Sequence, residues 1–164
     1  MRFRAAFAML GRIAPEVAAA VFERLFFTPP RPPRSRGEPT LKNAEWIAVN
    51  LEGRPLAAWR WGNGPATLLV HGWGGQAAQL SSFVAPLLAR GFSVVAFDGP
   101  GHGRSGRVKS SLPQLAWAIR AVSDSVGGVT GIVAHSLGAA AAVLAVRDGL
   151  RPVAFLAAAR SIGS

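Results

Sequence analysis

Ten residues, Val129-Thr-Gly-Ile-Val-Ala-His-Ser-Leu-Gly138, restrict the fold more than any other stretch of this sequence. Ile132 and Val133 are β-branched and apolar without alternation, the composition of a strand buried on both faces. The run stops at Ser136, and an Ala-rich segment of high helix propensity follows from Leu137 to Asp148, with Gly149 placed to end it. A strand that passes into a helix through so short a turn holds the serine in a strained backbone conformation, and the residues two before and two after it must be small. Ala134 and Gly138 occupy those positions, so Ala134-His-Ser-Leu-Gly138 reads as G-x-S-x-G with Ala for the first Gly. Ala and Gly are the residues expected to fit there. A serine ahead of a helix also serves as an ordinary N-cap, and the rest of the chain must decide between cap and nucleophile.

Strand-like and helical segments alternate upstream of this turn. Ala44 to Asn50 and Arg54 to Trp61 flank Glu52-Gly53 and predict an antiparallel hairpin. Thr67 to Val70 reads as a buried strand running into His71-Gly-Trp-Gly-Gly75, followed by a helix from Ala77 to Arg90 closed by Gly91. Phe92 to Phe97 is a further buried strand and ends in Asp98-Gly-Pro-Gly-His-Gly-Arg-Ser105, too rich in Gly for helix or strand. A helix from Ser111 to Val126 sets Leu115, Ile119, Val122 and Val126 on one face and stops at Gly127-Gly128. Pro152 to Ala157 is the last apolar strand. This alternation predicts an α/β fold with a mostly parallel sheet and right-handed crossovers.

The first 43 residues differ in character. Residues 1–27 form an amphipathic helical segment, in which Val17, Ala20, Val21, Arg24 and Leu25 follow helical spacing and predict a helix that starts at Pro15 and buries one face. Arg12 interrupts its apolar run, so it is neither a signal peptide nor long enough to span a bilayer, and a cytoplasmic location is expected. Contact with an anionic membrane surface is the alternative use of such a helix. Residues 28–43 are a Pro- and Arg-rich linker, and residues 44–164 hold the core. The chain has no Cys and three scattered His, so no metal site is expected. Its net charge of +10 is spread along the sequence without a nucleic-acid module, and nucleic acid is not an expected partner.

Three segments in order, His71 to Gly75, Asp98 to Ser105 and Ala134 to Gly138, each after a buried strand, resemble the α/β-hydrolase superfamily. The resemblance implies an α/β-hydrolase-type, mostly parallel sheet with an N-terminal antiparallel hairpin, and Ser136 as nucleophile toward a small-molecule acyl substrate, with no cofactor. It implies an oxyanion hole from the backbone N–H groups of Leu137 and Trp73. His71, Gly72, Gly74, Gly75, Asp98, Gly101, His102, Gly103, Ala134, His135 and Gly138 take structural places in the motifs. The family order of triad residues is Ser, acid, His. After Ser136 the acid present is Asp148, at the end of the following helix, and no His follows. The expectation is therefore an incomplete core, truncated before the last strands, whose parent is an esterase-like serine hydrolase and which is inactive alone. A non-catalytic binding protein on the same fold is the alternative. The strand Pro152 to Ala157 has no edge protection, so self-association is expected.

Overall fold

The computed structural model of the chain describes residues 9, 11–30, 41, 43–106 and 109–158. Expectations for residues 1–8, most of the linker, and 159–164 lie outside the described residues. In chain order the elements are α1 (Pro15–Phe27), β1 (Glu45–Leu51), β2 (Arg54–Trp61), β3 (Ala66–Val70), a 3-10 helix (Ala77–Phe83), α2 (Val84–Leu88), β4 (Ser93–Phe97), α3 (Leu112–Ser125), β5 (Gly131–His135), α4 (Leu137–Arg147) and β6 (Ala154–Ala158).

β1 and β2 pair antiparallel with Leu51 opposite Arg54. Glu52 and Gly53 have φ of 51° and 80°, the left-handed backbone that lets a two-residue turn match the twist of its strands. Asn50 Oδ1 accepts the Gly53 N–H at 2.7 Å and steadies it. β2 joins β4 antiparallel, while β4, β3, β5 and β6 run parallel, giving one sheet in the order β1-β2-β4-β3-β5-β6. The chain is an α/β fold of the expected mixed kind.

Alternation along the strands sorts side chains into two cores. Leu68, Val70, Val95, Phe97, Ile132 and Ala134 share one with Leu115, Ile119 and Val122 of α3 and Ala141 of α4. Leu69, Val94 and Ala96 share the other with Ala77 and Leu80 of the 3-10 helix. Complete burial of a residue such as Phe97 or Leu68 contributes about 1.5–3 kcal/mol. The sheet is thus covered by α3 and α4 on one side and by the 3-10 helix and α2 on the other.

Two elements depart from expectation. The helix expected over 77–90 is 3-10 as far as Phe83 and α-helical only from Val84 to Leu88. Pro86 has no N–H to give to the Ser82 carbonyl, so an unbroken α-helical ladder cannot run through this segment. α1 begins at Pro15 as expected, but most of its apolar face is exposed: Val17, Val21, Leu25 and Phe26 are exposed, and only Ala18, seven residues before Leu25, is buried. Periodicity reveals that a helix has an apolar face but not which way it turns. Glu23 Oε1 lies 2.7 Å from Lys109 Nζ at the surface, and the Phe27 carbonyl accepts the Ser110 N–H at 2.7 Å.

Candidate active site

Ser136 links β5 to α4 with φ 52° and ψ −123°, a left-handed backbone at a residue that has a Cβ. Such a conformation costs about 1–3 kcal/mol and persists only where its surroundings enforce it. The Ser136 side chain makes no capping hydrogen bond. Ser111 does cap its helix, its hydroxyl accepting the Gln114 N–H at 3.4 Å, so the contrast removes the ordinary N-cap reading for Ser136. Its carbonyl accepts the Ala139 N–H at 2.9 Å and starts α4, and the residue itself is exposed.

Gly138 is what lets this turn close. A Cβ there would overlap the carbonyl oxygen of His71 and stand 2.8 Å from that of Val70. Ala and Gly are both expected to fit at this position, and the structure admits Gly alone of the two. The first turn of α4 crosses the carboxyl end of β3 so closely that carbonyl oxygens fill the space of any side chain. Two residues before the serine the requirement is looser, because the Ala134 methyl points into the core beneath α4.

Topology decides what faces Ser136. β3 and β5 are parallel neighbours, with Val70 opposite Ala134, yet the chain leaves β3 toward the 3-10 helix side and leaves β5 toward the α4 side. Connections that part in this way open a crevice at the carboxyl ends of the two strands. Ser136 lies on one lip and Gly72 on the other. A Cβ at Gly72 would stand 3.0 Å from Ser136 Cβ and 3.2 Å from His135 O and Nδ1, so glycine lets this backbone come against the serine without crowding it. The Gly75 N–H bonds to Gly72 O at 3.0 Å and folds residues 72–75 into a tight loop that carries Trp73, which is exposed.

Behind the crevice, buried polar groups tie the loops together. Gly72 O, 2.7 Å from His71 Nδ1, can only accept, and the Gly99 N–H, 2.9 Å from Nε2, can only donate. His71 is therefore the neutral Nδ1–H tautomer, bridging the loops after β3 and β4. Its burial pushes the imidazole down to about 4. His102 Nδ1 donates in the same manner to Pro100 O at 2.8 Å, and its ring meets that of Trp73 edge-on at 5.3 Å. Asp98 takes the Ala77 N–H on Oδ1 at 2.7 Å and the Arg104 N–H on Oδ2 at 2.8 Å. Burial raises its pKa, and those two N–H groups oppose the shift. A Cβ at Gly103 would overlap the Asp98 carboxylate, and Gly101 has φ 76°.

The residues singled out from sequence thus gather at the carboxyl ends of β3, β4 and β5. Ser136, Leu137, Gly72 and Trp73 surround the opening; His71, His102, Asp98, Gly101 and Gly103 shape the loops. Ser105 was part of a motif but had no assigned role. It is buried, its Oγ accepting the Ala57 N–H at 2.9 Å and donating to Asp98 O at 2.5 Å, which joins this loop to β2. Pro30 was not anticipated at all: its ring lies on Gly74, where a Cβ would come within 2.9 Å of Pro30 Cγ. A proline in a linker carries no signal for such a contact.

Comparison with known proteins gives consistent relatives. The sequence profile of the "Alpha/beta hydrolase family" matches residues 67–163. A pimeloyl-[acyl-carrier protein] methyl ester esterase of Methylococcus capsulatus is 39% identical over 100 residues, which is 58% of this chain and 36% of that protein. The dihydrolipoyllysine-residue acetyltransferase component of an acetoin cleaving system in Cupriavidus necator is 30% identical over 161 residues, 95% of this chain and 42% of that protein. The chain therefore spans about two fifths of the length of these relatives. Among solved structures, an epoxide hydrolase from Vigna radiata superposes with a TM-score of 0.64 at 24% identity, covering 71% of this chain and 40% of that one.

Proposed function

The chain belongs to the alpha/beta hydrolase family, and from that premise we propose that Ser136 is the nucleophile of an acyl hydrolase taking an ester or related acyl substrate. The observation that carries this reading is the backbone of Ser136, left-handed and strained, with the hydroxyl uncommitted to capping. Oγ attacks the acyl carbon as its proton passes to a general base and the carbonyl electron pair moves to oxygen. On collapse the ester C–O bond breaks, the leaving oxygen takes that proton and departs as the alcohol, and the acyl group stays on Oγ until water hydrolyses it. The N–H groups of Leu137 and Trp73 are the donors proposed for the oxyanion, and the amino end of α4 adds its positive dipole. The esterase relative supports a carboxylic ester as the substrate class.

No His follows Ser136 in the sequence, so the nucleophile and the oxyanion donors are the parts assigned to this chain. A binding role without catalysis is the competing reading. A thiol tests the site without needing a base. Ser136→Cys would carry the chain's single cysteine, and p-nitrophenyl acetate should acylate it at least about tenfold faster than Ser82→Cys, an exposed control on the 3-10 helix. Intact-mass spectrometry follows both. Equal rates would mean that nothing around residue 136 stabilises an oxyanion, and would favour the binding protein.

A further inference from the structure

We infer that the apolar face of α1 docks on an anionic lipid surface and sets the opening beside Ser136 against it. An amphipathic helix of a folded domain normally turns its apolar stripe to the core. In α1 the stripe is buried at Ala18 and left exposed elsewhere. Val17, Val21 and Leu25 recur every four residues, Phe26 follows about 100° further round the helix, and they are 52, 37, 62 and 60% exposed. The Phe22 ring stacks on Phe26 with centroids 5.6 Å apart and widens the same surface. Glu16 and Glu23, seven residues apart, lie on the opposite side of the helix. Glu23 Oε1 lies 2.7 Å from Lys109 Nζ.

Charge selects what covers this face. Residues 1–40 contain seven Arg against three Glu, with Arg2, Arg4 and Arg12 preceding α1 and Arg31, Arg34 and Arg36 following it. Basic groups on both sides of an apolar helix fit a layer of anionic headgroups over acyl chains. Two copies of this chain joined through the same face would instead bring like charges together. The chain after α1 leads to the crevice: the Phe27 carbonyl holds Ser110, Pro29 is buried, and Pro30 rests on Gly74 of the loop that faces Ser136. An acyl ester dissolved in the lipid would meet the site there. That last step rests on the proposed chemistry, and the docking does not.

The test is co-sedimentation of the full chain with phosphatidylcholine vesicles containing about a quarter phosphatidylglycerol. Binding is expected, and it should fall at least about tenfold in Val21→Glu/Leu25→Glu, on pure phosphatidylcholine, and at high salt. Both substituted side chains are exposed, and circular dichroism checks that the fold is kept. Absence of binding, or binding that the double variant leaves intact, would overturn the inference. So would a dimer that the double variant dissolves while vesicles capture nothing, since the face would then belong to a second copy. Sedimentation does not involve the Ser136 hydroxyl, so this result and that of the Ser136→Cys acylation stand or fall separately.

Discussion

At Gly138 the space denied to a side chain is occupied by backbone, and backbone cannot swing aside as a flexible side chain would. The His71 and Val70 carbonyls belong to the carboxyl end of β3, locked in register between β4 and β5. Gly138→Ala should therefore cost upwards of about 3 kcal/mol, at the severe end for overpacking, although Ala is the better helix former. Urea denaturation measures it. Gly131→Ala is the comparison, because the added methyl would meet mainly the Thr67 side chain at 3.3 Å, and a similar loss at both positions would contradict the close crossing of α4 over β3. His71 yields a pH prediction. Its folded-state pKa, about 4, lies below the ordinary 6.5, so between these values the unfolded chain binds more protons. Its contribution is fully present above 6.5 and is lost as the pH falls toward 4, with a total on the order of 3 kcal/mol. Asp98, whose pKa is raised, acts in the opposite sense at the acid end of that window. Comparing wild type with His71→Gln from pH 7 to pH 4 isolates the histidine: the variant should lose less stability on acidification, and parallel curves would show that His71 does not titrate as its burial requires.

Asp98 is the joint between elements: one carboxylate oxygen starts the 3-10 helix at Ala77 and the other holds the loop after β4 at Arg104. Asp98→Asn has nearly the same shape but turns one acceptor into an NH2 donor, so one buried N–H must face another donor. The expected loss is about 1–3 kcal/mol, read by thermal melting, with increased hydrogen exchange at Ala77 or Arg104. An unchanged melt would mean that the loop rearranges freely and that Asp98 is not the joint. This element scale also divides what could be read from the sequence. The hairpin was legible because Glu52-Gly53 supplies local turn chemistry, and β3, β4 and β5 because their apolar runs are buried on both sides. The motifs around Ser136 were legible because close approaches demand small residues at fixed offsets. The 3-10 segment was less so, since Ala77 to Leu88 is apolar enough for either helix and one proline decides between them. The meeting of Gly72 with Ser136 depends on which strands are neighbours, a non-local fact that no window of residues contains. The exposure of most of the α1 stripe was illegible for a related reason, because periodicity shows which residues share a face and not what covers it.

Among the described residues the two edges of the sheet differ. β1 closes one edge and carries the charge of Glu45, whereas β6 closes the other with no charged residue from Ala154 to Ala158. Val153 and Leu156 are 88 and 58% exposed along it. An uncharged apolar edge strand is a template for pairing with another chain. The net charge of +10 opposes association, but that repulsion is long-ranged and screened within about 10 Å at 0.1 M salt, whereas strand pairing and apolar contact act at van der Waals distance. The 164-residue chain should therefore self-associate at micromolar concentration, and more strongly as salt is added. Docking of α1 on anionic vesicles has the opposite salt dependence, because there the charges attract. Size-exclusion chromatography with light scattering, repeated across salt concentrations, checks the prediction. Leu156→Lys places a charge on the β6 edge and should return the chain to a monomer, while Val21→Glu/Leu25→Glu on α1 should leave the association unchanged. A monomer at all salt concentrations would mean that the β6 edge is covered, and dissociation by the α1 variant alone would transfer the association to the helix.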